Sequence, residues 1–402
     1  MLKPLSSFLF KNIPSSTIGI FRIIFGLFMT YQILYYYSID YIYQFISGPE
    51  ILFPYHGFEF ISPLPQSILK VLQLGLLASS ILITIGYFYR VAAIYFTLIF
   101  TYFSFIDNTL YNNHLYLICL ISFSLIFIHG DASFSLKKEK REFVPAWNQY
   151  ILMFLIALPY FFGGIAKLSP NWLSSDLTKI FLSNTILNQN SNLLNWISPF
   201  IKYGGLIYDL SIVFLLLNKK TFKLGLILVL ILNLTNHFFI FDDIGLFPFL
   251  MIFSTILFFP NSLIQSIVNK LRFFKQPKRK KKLVSNTFIT EKAIELKTVA
   301  ISLFVLFHLL FPFRHLLHSG NPEWTGNGVR FAWRMKMHSR KIIDSKMTVI
   351  QKGNNQSVDI DPSTYLSANQ WLHLTELPYN LVHLSKYVSK KASNLYIYPP
   401  QK

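Results

Sequence analysis

The 402-residue sequence is short of charge and almost without cysteine. Only 14% of its residues are Asp, Glu, Lys or Arg, against about 25% in an ordinary soluble domain. With 52% apolar residues, that scarcity excludes a soluble globular protein. It equally excludes an unfolded chain, which needs the opposite balance. The single cysteine, Cys119, excludes an internal disulfide framework and any cysteine-based zinc or iron–sulfur site. No HExxH or other metal-ligand spacing occurs, so no metal is expected. GxSxG, P-loop and GxGxxG patterns are missing, which argues against hydrolase, NTPase and Rossmann chemistry. Acid is the scarcer charge: 18 Asp and Glu face 37 Lys and Arg, a net +19. A lipid-soluble chain with that surplus must keep it in particular places.

What is abundant is apolar and aromatic, with 41 Phe and 22 Tyr. A helix needs about 20 mostly apolar residues to cross the hydrocarbon core. Long windows free of charge lie at 71–89, 143–166, 224–241 and 244–269. Shorter runs lie at 91–106, 115–128, 203–217 and 298–313, and the run 18–37 carries Arg22. These predict an all-α polytopic membrane protein of about nine transmembrane helices. The first run is too long for a cleaved signal peptide and no small-residue cleavage site follows it. Residues 314–402 are polar, and 346–351 (KMTVIQ) reads as a short strand. The expected organisation is therefore a transmembrane catalytic domain at 1–313 and a small, partly β extramembrane domain at 314–402.

Lys and Arg placement predicts orientation. Residues 270–282 carry Lys270, Arg272, Lys275, Lys278, Arg279, Lys280, Lys281 and Lys282 and no acid. This loop is expected in the cytoplasm, held by anionic lipid. A nucleic-acid partner is not expected, because the run sits between spans. Nine spans then put the N-terminus inside and the C-terminal domain outside. The polar clusters at 53–58, 112–114, 167–172, 233–239 and 333–340 all fall at outer span ends, where a lipid-soluble substrate can arrive from the bilayer.

Lys167 ends a long uncharged helix and follows Gly163 and Gly164, which let a neighbour approach closely. Taken alone, it reads as a snorkelling interfacial lysine or as a desolvated amine, since burial disfavours the ammonium and makes a neutral base available. His114, after Asn112 and Asn113, and His237, beside Asn236, read first as interfacial hydrogen-bonding groups. Arg22 and Asp209 lie inside apolar spans, where charge marks function or pairs internally.

Seven segments together resemble the vitamin K-dependent gamma-carboxylase family, in its short bacterial form. They are IGIFRIIFG (18–26), YNNHLYL (111–117), VPAWNQY (144–150), YFFGGIAKLSPNW (160–172), YDLS (208–211), IGLFPFLMIFST (244–255) and WTGNGVRFAWRMKMHSR (324–340). Their order and spacing cover roughly residues 15–390. The resemblance implies that Lys167 is the catalytic lysine and His114 the assisting histidine. It implies a quinone site bordered by Asn113, Tyr160, Gly164, Trp333, Met335, His338 and Arg340. Lys336 stands where the family has a second methionine, with Met337 one place later.

The implied reaction uses vitamin K hydroquinone (or menaquinol), O₂ and CO₂. A base deprotonates the hydroquinone and the anion reacts with O₂. The rearranged alkoxide then takes the γ-proton of a peptide glutamate, the carbanion takes up CO₂, and the vitamin leaves as its epoxide. Implied partners are membrane lipid, a lipid-soluble quinone and a Glu-containing protein or peptide. Two departures bear on this. The sequence lacks much of the longer outer domain of animal relatives, and Cys119 cannot form their disulfide. Quinone oxygenation is therefore expected to survive more surely than protein carboxylation. The alternatives are a quinone epoxidase without carboxylation, and a non-catalytic lipid- or quinone-binding or transport protein.

Overall fold

A computed structural model describes residues 2–183, 185, 191–241, 244–270, 291–339, 342, 346–350 and 357–395. The basic run at 271–282 and Arg340 lie outside the described residues. The chain begins with helix α1 (Leu2–Phe10), strand β1 (Asn12–Pro14) and helix α2 (Ser16–Ser38). Helices α3 (Gln66–Ile85), α4 (Tyr89–Phe105) and α5 (Asn113–Phe127) follow. Strand β2 (Phe143–Pro145) leads into α6 (Trp147–Lys167), then α7 (Pro170–Ser174), α8 (Leu177–Ser183), α9 (Ser191–Leu217) and α10 (Phe222–Thr235). Next come α11 (Phe247–Ser254), α12 (Asn261–Lys270) and α13 (Glu291–Leu310). The C-terminal part holds α14 (Pro322–Thr325), β3 (Met347–Ile350), β4 (Ser357–Ile360), α15 (Ala368–His373) and α16 (Pro378–Leu395).

Among the described residues six helices are long and apolar enough to cross a membrane, and a seventh span counts if one bent pair is joined. The expected nine are not reproduced as nine. α4 and α5 have 17 and 15 residues, about 25 and 22 Å of helix, short of the roughly 30 Å hydrocarbon core. The window 244–269 is broken instead of continuous: Phe247–Phe258 and Asn261–Lys270 meet at 97°. Pro260 sits at the break and Phe259 before it is extended, as the clash with a following proline ring requires. The window 143–166 also starts later than expected. Phe143–Pro145 forms an antiparallel ladder with Asn12–Pro14, and the helix begins only at Trp147.

α2 is the centre of the packing. Ile18, Phe21, Phe25, Met29 and Ile33 recur at helical spacing and are fully buried, giving one apolar face. The same face carries Arg22, also at 0% exposure. Its guanidinium donates to the carbonyls of Gly130 (3.0 Å), Ile83 (2.6 Å), Phe134 (2.6 Å) and Thr84. Gly86 ends α3 in the left-handed region at φ 67°, and a Cβ there would come within 2.9 Å of the guanidinium. Arg22 thus gathers the end of α3 and the loop after α5, and it does not pair with Asp209.

At the opposite end of the bundle, the loop before α5 is clamped by the C-terminal segments. Buried Asp107 accepts from Gln370 (2.9 Å), which also donates to the Ile51 carbonyl (2.7 Å). Asn108 and Asn380 exchange amide hydrogen bonds at 2.8 and 3.0 Å. A second hydrophobic cluster forms there from Ile51, Phe53, Leu374, Leu384 and Val388. β3 and β4 pair antiparallel, Met347 opposite Ile360, so the strand expected at 346–351 is present in its described part.

Candidate functional site

Helix α6 carries Lys167 in its last turn and stops there for a local reason. Ser169 precedes Pro170, and a residue before proline is driven out of the helical region. Ser169 is extended and its hydroxyl accepts from the Trp172 N–H (3.4 Å), capping α7. The turn folds Trp172 back so that the Lys167 ammonium lies 5.6 Å from its ring centre. Across the helix contact, Asp209 of α9 accepts a hydrogen bond from the Lys167 ammonium. The two side chains are 17% and 10% exposed.

The neighbouring glycines do different things. A Cβ on Gly164 would meet the Leu210 side chain at 2.7 Å and its backbone nitrogen at 3.0 Å. Gly164 therefore sets the close approach of α6 to α9. A Cβ on Gly163 would meet Asp209 Oδ2 at 3.3 Å, Met335 Cε at 3.5 Å and the Trp333 carbonyl at 3.9 Å. Gly163 thus faces the point where Asp209, the partner of Lys167, meets the Met335 side chain and the Trp333 carbonyl. Beside it, Tyr160 accepts from the Asn233 amide (3.3 Å) and packs edge-on to Tyr208.

The segment that closes this space is bent hard. Phe331, Trp333 and Lys336 adopt φ of 58°, 60° and 54°, a left-handed conformation costly for side chains of this size. Three sets of contacts hold it. Trp333 is buried, its ring 4.9 Å from that of Tyr116. Met337 packs with Ala166 and Trp172. The Phe331 N–H donates to the Tyr111 hydroxyl (2.6 Å), which donates to Asn113 Oδ1 (2.9 Å). Glu323 anchors the far side, accepting from Arg334 Nε (3.0 Å), with His338 Nδ1 3.5 Å away. Burial pushes the Glu323 carboxyl up, but His338 and Arg334 outweigh it and hold it below its ordinary value.

His114 opens α5, whose N-cap is Asn112, accepting from the Leu115 N–H (2.8 Å). Its ring stacks on Phe247 of α11, 3.9 Å between centres and 10° between planes. His237 bonds the Gly245 carbonyl through Nδ1 (3.1 Å).

A family model described as HTTM domain matches residues 10–262, more than half of the chain. A second, described as vitamin K-dependent gamma-carboxylase, lumenal domain, matches residues 293–398. The chain belongs to the vitamin K-dependent gamma-carboxylase family. No solved structure matches it.

For this gamma-carboxylase family member, the expected site residues divide into groups. Lys167, Trp333 and Met335 come together around Gly163. Tyr160 lies on the same side of α6, next to Tyr208 and so one residue from Asp209. Asn113 reaches the 331–335 segment through Tyr111. Gly164 faces Leu210, His338 faces Glu323, and His114 faces Phe247. Arg340 lies outside the described residues. Among the described residues no group of three or more His, Cys, Asp and Glu could hold a metal. Sequence reasoning missed Asp209 as the partner of Lys167 and Glu323 as the anchor of Arg334. The signal for Asp209 was present, since a carboxylate inside an apolar span needs a cation. Glu323 gave none.

Proposed function

We propose that the protein is a vitamin K hydroquinone-dependent gamma-glutamyl carboxylase-like membrane enzyme in which Lys167 is the base. The observation that carries this is the placing of Lys167. By the resemblance Lys167 stands where the family has its catalytic lysine, and it is largely buried against Asp209, which with Met335 and the Trp333 carbonyl borders Gly163. The Trp172 ring and the Met335 thioether beside a basic nitrogen fit a flat ring with acidic hydroxyls. The bound hydroquinone, once deprotonated, supplies with O₂ the strong base that glutamate carboxylation needs.

The protein's own part is binding, orientation and proton transfer. Lys167 Nζ is the group that accepts the hydroxyl proton. Asp209 carries the counter-charge of the ammonium that results. The buried surroundings keep water from the reactive oxygen. His114 stabilises the anion from α5. The N-terminus lies inside and the C-terminal part outside, with α4, α5 and the bent α11–α12 pair completing nine membrane passages.

The test supplies vitamin K hydroquinone, O₂, labelled CO₂ and a Glu-peptide to the purified protein in detergent. Epoxide and labelled peptide are expected together. Absence of epoxide overturns the reading. Epoxide without label leaves the quinone half alone. Epoxide that persists undiminished in Lys167→Ala removes Lys167 as the base.

A further inference from the structure

Two aromatic cavities among the described residues leave Lys167 out of their lining. One of about 710 Å³ adjoins another of about 240 Å³, and they share Tyr55, Phe105, Tyr116, Leu120 and Phe331. The combined space is of a size that holds a drug-sized molecule. It lies between α4–α5 on one side, the end of α13 on another, and Leu377–Tyr379 above. Tyr116 separates it from the Lys167 space, with Phe331 on one side and Trp333 on the other, both at 4.9 Å.

Two polar side chains on the lining have chemistry to spare. His308 is 6% exposed, and its Nδ1 lies 2.8 Å from the Phe304 carbonyl. A carbonyl only accepts, so Nδ1 carries the proton and Nε2 is an acceptor. Arg314 rests on the Phe311 ring at 4.2 Å and donates to backbone carbonyls. Among the described residues no carboxylate pairs with it. The cavity therefore offers an acceptor and a cationic donor amid aromatic rings, with no acid on its lining. Beside it runs an apolar exposed surface. Leu303, Leu306, Phe307 and Leu310 of α13 and Phe123 of α5 are exposed, and the Phe123 ring stacks on that of Phe304.

We propose that this cavity is a second site, a lateral holding site for a reduced isoprenoid quinone. One hydroxyl of the ring donates to His308 Nε2. The oxygen of the other accepts from Arg314. The ring lies among Tyr55, Phe105 and Phe331, and the isoprenoid tail leaves past Phe307 and Leu120 into the bilayer. The identity of the lipid rests on the carboxylase reading above. The need for a hydroxyl donor and an apolar tail rests on the cavity alone.

The experiment measures binding of menaquinol with a four-isoprene tail to the full chain in nanodiscs, without oxygen, by quenching of intrinsic fluorescence. Leu120→Trp fills the cavity and His308→Phe removes the acceptor. Each is expected to weaken binding at least tenfold, as is capping both hydroxyls of the ligand as methyl ethers. Unchanged affinity in both cavity variants overturns the site. If those variants fail to fold, a tail-diazirine menaquinol on the unaltered protein decides. Labelling within 116–123 or 303–311 supports the site, and labelling confined to other helices overturns it. Absence of epoxide with intact cavity binding defeats the carboxylase reading and leaves this site standing. Epoxide formation with unaltered KM in Leu120→Trp does the reverse.

Discussion

Arg22 and Lys167 are both cations on apolar helices, held at opposite ends of the bundle in opposite ways. Arg22 is wholly buried and donates only to backbone carbonyls, drawn from three stretches of chain. Those acceptors belong to helix ends and turns and cannot move without unfolding something. Lys167 has one carboxylate and one indole ring, both on side chains. A planar fork on fixed carbonyls serves architecture. An ammonium held by side chains is the arrangement that the proposed base role calls for. Intramembrane charge is a reason to suspect function, and it is the type of partner that separates the two cases.

Charge-conserving swaps sharpen this contrast most. Lys167→Arg keeps the cation and fits Asp209, so it is expected to fold normally. It cannot supply a neutral base, and epoxide formation should fall by about 100-fold or more, the usual worth of a positioned general base. A fully active Lys167→Arg would break the comparison. Arg22→Lys should do the converse. Its three donors cannot span the carbonyls that the fork reaches, and unsatisfied buried acceptors cost about 1–3 kcal/mol each. The thermal midpoint in detergent should drop by several degrees, with activity per folded molecule retained.

Asp209→Asn is next in size. The amide still accepts from Lys167 but offers no counter-charge. The difference between a charged and a neutral hydrogen bond is about 1.5 kcal/mol, so epoxidation should fall about tenfold. A loss as deep as that of Lys167→Ala would make Asp209 indispensable in place of supportive.

The adjacent glycines give a smaller, paired effect. Gly164→Ala forces Leu210 and its backbone away, an overpacking expected to cost about 1–3 kcal/mol of stability. Gly163→Ala meets its neighbours at ordinary contact or slightly closer. It should fold with nearly unchanged stability and register in the KM for hydroquinone.

The smallest effect concerns acid. Burial pushes the Glu376 carboxyl up, but His373 and Arg330 pull it down to about 2. Arg330 lies 2.8 Å from it. A depressed carboxyl contributes stability above its unfolded value, about 4.3, and loses it as pH falls toward 2. Thermal midpoints between pH 5 and pH 3 should decline less in Glu376→Gln than in the parent.

The helical membrane architecture was legible because apolar runs state it locally, and the end of α6 at Lys167 was legible from the run that it closes. Span lengths were less legible. Nothing in the run 244–269 outweighs its hydropathy except Pro260, and a single proline turned one expected span into two helices at 97°. Phe143–Pro145 looked like the start of a helix until Asn12–Pro14 was available to pair with it. Gly163 and Gly164 look alike in sequence, and only the helix opposite tells them apart.

The amino-acid sequence by itself determined that this is a helical membrane protein and singled out Lys167, at the end of an uncharged helix, as the lysine to propose for the site. Both follow from patterns among neighbouring residues. The partner of that lysine, the role of Arg22, and the cavity with His308 and Arg314 were decided only by tertiary structure. Lys167 and Asp209 are 42 positions apart, and Arg22 lies 61 to 112 positions from the carbonyls it binds. No local pattern encodes such meetings. They exist because burying a polar group requires a partner, and packing alone chooses which one arrives.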